Sequence, residues 1–465
     1  MDLDKLIKKA NKASQSGDFG LAKVLSNKII SKAPGNALGY KLLATNLIKL
    51  NQFIDANKCI EKAIALGDKS LMLYRLQATV WIEIDELNLA LNQLEQLFNQ
   101  TGDMTILLDI ALAYQRLGQF ENAESVYSEL IKHQPEHHQA RYSLSILQLY
   151  NGDFVKGWQG FEIRHKVDEA YKQKQFCTLY QLGDSVINKR VLVVPEQGIG
   201  DQLIFASCLP DLVNIAKEVL VICDERLKAL FINSFKGITV FTKQNILEAS
   251  LQFKQCDLQI PIGTLPFIFR PSVSFFPNVP VYKVTNTLTE KLKPQLASDK
   301  LNVGISWYGG QCSNSNINRW SSKIADWKVL FQVENIQWYD LQFGEHRREV
   351  AKESFIKGKL KRVSDYNAGE DFSHYGALIN QLDLVISVDN AAAIFSAFLG
   401  KETWVLVPKD PFWVWSQNEM NSPWFSDNVS LLKKGEGSWI DSLRQLQPRL
   451  ISLRDLKLSS MNKKL

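Results

Sequence analysis

The first third of the chain repeats one short pattern of apolar and polar positions. GDFGLA begins at Gly17, NQFIDA at Asn51, DELNLA at Asp85, GQFENA at Gly118 and GDFVKG at Gly152, with successive offsets of 34, 34, 33 and 34 residues. Third place in each block is aromatic or Leu (Phe19, Phe53, Leu87, Phe120, Phe154), and sixth place is small (Ala22, Ala56, Ala90, Ala123, Gly157). This predicts a pair of antiparallel helices per repeat. The small residue lets the helices approach, and the aromatic fills the gap beside it. Pro34 and Pro135 fall late in their repeats and end a helix, since proline removes a donor and restricts its predecessor. Such units bury their faces only against neighbours and stack into a curved solenoid.

After about Lys189 the pattern changes to short β-branched runs separated by amphipathic stretches. RVLVV (190–194), EVLVIC (218–223) and the run near Leu258–Ile260 read as buried parallel strands. A polar, Lys-containing stretch at 286–300 follows. The pattern then restarts with LNVGISW (301–307), WYDLQF (338–343), LDLVISV (382–388) and TWVLVP (403–408). Helical segments are predicted near 323–333, 346–356, 372–381 and 391–399. The expected class is therefore α plus α/β. An α-solenoid over residues 1–170 precedes two Rossmann-like halves, 171–290 and 291–465, facing across a cleft.

Composition narrows the function classes. A chain of 465 residues that is 45% hydrophobic and 22% charged reads as a soluble globular protein of several domains. A net charge of +5 is too small and too dispersed to argue for nucleic acid. The start, MDLDKLIKKANK, has no apolar core, and no run of eighteen apolar residues occurs, so neither a secretory signal nor a transmembrane segment is expected. Six scattered cysteines without a C-x-x-C suggest free thiols and a cytoplasmic location. His133, His137 and His138 lie at the turn marked by Pro135 and are read as loop histidines rather than metal ligands. No metal is expected.

Candidate chemistry sits where strands open into loops. Glu196-Gln197-Gly198-Ile199-Gly200-Asp201 follows a strand and precedes a helix, the context of a close-approach loop. The third glycine of a dinucleotide fingerprint is missing, and no Gly-Lys-Ser/Thr follows. Asp201 either caps the helix or faces the cleft. A second loop runs from Gly304 through Ser306, Trp307, Tyr308 and Gly309 to Gly310, with Arg319 and Lys323 beyond it as anion partners or plain solvated charges. A third, Asp389-Asn390-Ala391-Ala392-Ala393, opens a helix whose small first turn suits an anion; Asp389 or Asn390 is alternatively its cap. Lys409 and the aromatic run Phe412–Trp415 follow the last of these strands. Those aromatics either stack a base or pack the cleft.

Together these residues carry a resemblance. The repeats resemble the tetratricopeptide repeat family. EQGIGDQLIFASCLPDL, LPF at 265–267, ISWYGG…NRW, DFSHYGALINQLDLVISVDNAAAIFSAFLGKETWVLVP and SPWF at 422–425, all in one order, resemble a GT-B glycosyltransferase domain like that of the lipopolysaccharide heptosyltransferases. The whole is similar to bacterial repeat-containing flagellin glycosyltransferases. The resemblance implies a nucleotide-activated sugar, possibly a CMP-linked nonulosonic acid, and no cofactor. The donor would lie on the C-terminal half, against Ser306 to Gly309, Arg319, Lys323, Asp389 to Ala392 and Lys409. By motif match Asp201 is the base, with Glu196 in reserve, and Asp389 contacts the donor. Where that family has a His five residues after this Asp, the chain has Ile394. The segment from Gly437 to Leu450 would be a helix crossing back to the first half. The acceptor would be Ser or Thr of a protein such as flagellin, held by residues 1–170. The alternatives are transfer to lipopolysaccharide or capsule glycan, or a non-catalytic repeat scaffold with a degenerate transferase domain.

Overall fold

The computed structural model describes residues 2–462 apart from 169–170, 172–173, 278–279, 310–318, 345–346, 364–365, 367–368, 416–421, 426 and 436–437. It divides into two compact units. Of the described residues, one holds 2–140 with Arg319, and the other holds the rest of 141–309 and 320–462.

The first unit is built of helix pairs: Leu3–Gln15 with Phe19–Lys32, Ala37–Lys49 with Phe53–Ala65, Leu71–Glu83 with Leu87–Thr101, and Leu107–Arg116 with Phe120–His133. Each third-place residue of the repeat is the first residue of a second helix. The small sixth-place residues Ala22, Ala56, Ala90 and Ala123 are fully buried. The block starts share one backbone state. Gly17, Asn51, Asp85 and Gly118 all have positive φ, 81°, 56°, 69° and 77°. Asn and Asp tolerate the left-handed region better than other side chains, so the third block folds like its neighbours without the glycine. Asp18 caps its helix by accepting the Leu21 amide at 3.0 Å. Ahead of Pro34 and Pro135, Ala33 and Gln134 leave the helical region, with ψ of 77° and 78°. These repeats have the form of tetratricopeptide solenoids.

A fifth pair, His138–Tyr150 with Phe154–Phe161, falls in the second unit from Arg141 onward. Here the small residue is strictly required: a Cβ on Gly157 would lie 2.6 Å from the Leu149 side chain and 2.9 Å from its backbone nitrogen. Two wholly parallel sheets follow. The first has β1 (Arg190–Val194), β2 (Glu218–Cys223), β3 (Ile238–Thr242) and β4 (Leu258–Pro261) in the order β3-β2-β1-β4. The second has β5 (Leu301–Ser306), β6 (Ile336–Asp340), β7 (Leu360–Lys361), β8 (Leu384–Val388), β9 (Thr403–Val407) and β10 (Val429–Lys433), in the order β10-β9-β8-β5-β6-β7. Both orders reverse beside the first strand, which is the doubly wound arrangement. β1 and β4, and β5 and β8, therefore flank the two switch points where ligands bind in such sheets.

Three strands were not expected from sequence: β3, β7 and β10. All three are edges of their sheets. The expected helices Phe372–Gln381 and Ala391–Phe398 form as read, 324–332 is a 3-10 helix, and 346–356 holds only the short Arg347–Val350 and a 3-10 turn. The C-terminal helix Ile440–Asn462 corrects an expectation. It lies along the second sheet, with Leu443, Leu446 and Leu450 in the core of β5, β8 and β9, and Gln447 donating to the Val329 carbonyl. The aromatic run packs rather than waits for a base. Trp413 is buried, stacked on Phe205 at 6.0 Å and edge-on to Trp158 at 5.3 Å and close to Trp424 at 5.7 Å.

Candidate functional site

At the first switch point the chain leaves β1 through a strained loop. Gln197 takes a positive φ of 55°, and Gly198 then caps the helix Ile199–Phe205. Asp201, in that helix's first turn, accepts the Gly198 amide at 3.1 Å. The capping reading of Asp201 is thus the realised one, since its carboxylate closes the turn. Packed protein around it pushes its carboxyl up to about 7. Burial is the main cause and the Glu196 charge adds to it, while the bonds from the Gly198 and Asp201 amides pull the other way. A carboxyl in that range can exchange a proton near neutral pH.

Glu196 is a different case, and its reserve role as base is corrected. It is almost wholly buried and gripped by Arg164, with Nε to Oε1 at 3.0 Å and Nη2 to Oε2 at 2.8 Å; the Gly263 amide also donates to Oε2 at 2.9 Å. A carboxylate held by a buried guanidinium and an amide has no free face for a substrate proton. Arg164 also donates to Glu162 at 2.8 Å and to Thr264 Oγ1 at 3.0 Å. Burial opposes the guanidinium charge, but Glu162 and Glu196 outweigh it and raise its pKa above the ordinary arginine value. Tyr142 and Tyr171 pair through their hydroxyls at 3.1 Å, near enough to Asp201 and Arg164 to feel both charges.

The second switch point is tied by Asn390. Its Oδ1 accepts the amides of Ala392 at 2.9 Å and Ala393 at 3.2 Å, while its Nδ2 donates to Ser306 Oγ at 2.8 Å and to the Tyr308 carbonyl at 3.2 Å. The cap reading is therefore the realised one, and it takes two amides that an anion would have used. Asp389 is mostly buried and accepts the Phe412 amide at 3.2 Å. Gln342, which sequence reading missed, fastens the β5 loop. Its Oε1 accepts from Ser306 Oγ and from the amides of Trp307 and Tyr308 at 3.1, 3.0 and 2.9 Å. Trp307 lies wholly inside the core of the second sheet, so its expected place against a donor is corrected. Gly309 must be glycine: a Cβ there would lie 2.7 Å from the Asp389 carbonyl oxygen.

The two loop systems meet. A Cβ on Gly200 would lie 3.4 Å from Ile394 Cδ1 and 4.0 Å from Ala391 Cβ, so helices Ile199–Phe205 and Ala391–Phe398 pack side by side. Ile394 seals this contact with apolar surface. The remaining candidates stand further out. Lys323 is exposed, Lys409 is half-buried, Arg319 groups with the repeat unit, and Gly310 falls outside the described residues. Arg164 escaped notice because a single Arg at the end of a repeat belongs to no period or motif. His137 caps the helix His138–Tyr150, its Nδ1 accepting the Ala140 amide at 3.2 Å. Among the described residues no helix is long and apolar enough to cross a membrane.

No family model matches the chain. Protein FlbA of Caulobacter vibrioides is 22% identical over 432 residues, covering 87% of this chain and 71% of that protein. Among solved structures, that of YrrB, a TPR protein with an unusual peptide-binding site, is 18% identical with a TM-score of 0.30, covering 36% of this chain and 87% of its own. MamA 41-end from Desulfovibrio magneticus RS-1 is 18% identical with a TM-score of 0.31, covering 36% of this chain and 95% of its own. The chain is thus a distant relative of Protein FlbA, with helical repeats followed by parallel sheets.

Proposed function

We propose that this chain is a glycosyltransferase that moves a sugar from a nucleotide-activated donor to Ser or Thr of a protein, flagellin being the acceptor its sequence resemblance suggests. The observation that carries this reading is Asp201, a carboxyl in the helix that opens at the β1 switch point, whose pKa is pushed up to about 7. In the proposed step the acceptor oxygen attacks the anomeric carbon as Asp201 takes its proton. The bond from that carbon to the nucleotide phosphate breaks, and the nucleotide leaves with the electron pair. The donor belongs on the second sheet, outside β5 and β8. An extended polypeptide suits the concave face of a helical solenoid.

Calorimetric titration with CMP, UDP, GDP and ADP tests the donor class, and an acceptor mass gain of one sugar tests transfer. Selective binding of one nucleotide, with transfer abolished in Asp201→Asn, supports the reading. A second reading, a scaffold that transfers nothing, is favoured by the Asn390 cap on Ala392 and Ala393 and by Ile394. It is supported instead if none of the nucleotides binds.

A further inference from the structure

The crevice between β1 and β4 is where a doubly wound sheet takes its ligand, and here the chain fills it with its own side chain. Arg164 comes from the turn after the fifth helix pair and is almost wholly buried. All three guanidinium nitrogens are engaged: Nε and Nη2 by Glu196, Nη2 also by Thr264, and Nη1 by Glu162 and the Phe161 carbonyl. Glu196 lies in the loop after β1 and Thr264 ends the 3-10 turn after β4, so one guanidinium ties both walls of the crevice. The fit leaves no room. A Cβ on Gly263 would lie 2.6 Å from Glu196 Oε2 and 3.4 Å from Arg164 Nε and Nη2. Thr264 completes the ring by donating to Glu162 Oε2 at 2.9 Å.

What this grip controls lies next in the chain. Gln197 follows Glu196 directly and sits in the left-handed region, which costs a non-glycine residue about 1–2 kcal/mol. A strained backbone state persists only when its surroundings hold it. Glu196 is held on one side of Gln197, and Gly198 is held on the other by Asp201. From this we infer that Arg164 is a positioning residue: by fixing Glu196 it holds the Gln197 strain and sets the direction in which Asp201 faces. The inference rests on the reading of Asp201 as the base.

The test uses the full-length chain with Arg164→Gln, Arg164→Lys and Thr264→Val. Hydrogen exchange of the segment 196–205, followed by mass spectrometry, reads the loop without reference to activity. We expect about tenfold faster exchange there in Arg164→Gln, with the first four helix pairs unchanged. Where the protein transfers sugar, turnover is expected to fall at least about 100-fold with donor KM and nucleotide stoichiometry unchanged, since the donor site lies on the other sheet. Arg164→Lys restores the charge but not the fork and recovers part of that loss. If Arg164→Gln does not fold, Thr264→Val removes one partner at nearly constant volume and shows a smaller loss of the same kind. Unchanged exchange at 196–205 in these variants overturns the inference whether or not the chain is a transferase. Faster exchange with wild-type turnover overturns it as well. A wild-type chain that transfers nothing, while Arg164→Gln loosens the loop, overturns the transferase reading and leaves the anchor standing.

Discussion

Asp201 and Glu196 are both carboxylic acids, five positions apart, and their surroundings differ. Glu196 has a guanidinium and an amide for its oxygens, whereas Asp201 has backbone amides and no cation. The lifted Asp201 carboxyl gives a signed prediction. A group whose pKa is raised on folding contributes its stability fully below the unfolded value of about 3.9, and loses it as pH rises through about 7. Asp201→Asn removes that ionisation. The variant should be more stable than the parent at pH 8, by at most about 4 kcal/mol for a rise from about 3.9 to about 7. The gap should close by pH 4, and chemical denaturation at the two pH values measures it. Gly309 yields a second prediction. Gly309→Ala places a Cβ 2.7 Å from a backbone carbonyl that cannot swing aside, and should destabilise the second unit by about 1–3 kcal/mol in thermal melts.

At the scale of elements, the repeats show how little of a pattern must be kept. Gly17, Asn51, Asp85, Gly118 and Gly152 share a left-handed φ, and the short polar side chains reach it without glycine. Asp85→Gly should therefore hold or gain stability, while Asp85→Val should lose about 1–2 kcal/mol, read in the same denaturant series. The helix Ala391–Phe398 depends on its cap. Asn390→Ala frees the Ala392 and Ala393 amides and cuts the tie to Ser306, for an expected loss of about 0.5–2 kcal/mol. If those freed amides then serve an anion, the variant should bind phosphate more tightly than the parent by calorimetry. Central strands such as β1 and β8 are buried along their length and give nearly continuous apolar runs, which makes them legible in the sequence. The missed β3, β7 and β10 lie at sheet edges and are partly exposed, so their residues alternate or thin out.

For the whole molecule, the two switch points have different fates. Arg164 occupies the first and ties its walls, while the second is joined by Asn390 and Gln342 through single side chains. One nucleotide per chain is the expected stoichiometry, not the two that a pair of doubly wound sheets would otherwise suggest. Titration to saturation with the preferred nucleotide measures it. The fifth helix pair belongs to this story, since it supplies Arg164 to the loop of Asp201 and Trp158 to the aromatic core around Trp413.

The sequence by itself determined the local elements: a period of 33 or 34 residues for the helix pairs, apolar runs for the central strands, and the glycine, Asp and Asn loops at their ends. Those signals survive because each depends on neighbours within one turn or one strand. Only the tertiary structure decided partners. It gave Glu196 to Arg164, 32 residues away, set Gln342 under a loop 34 to 36 residues earlier, and packed Ile394 against Gly200. It also sent the C-terminal helix along the second sheet and put Trp307 in a core instead of a cleft. Charge pairing, burial and close approach are properties of residues brought together by the fold, and no spacing along the chain encodes them.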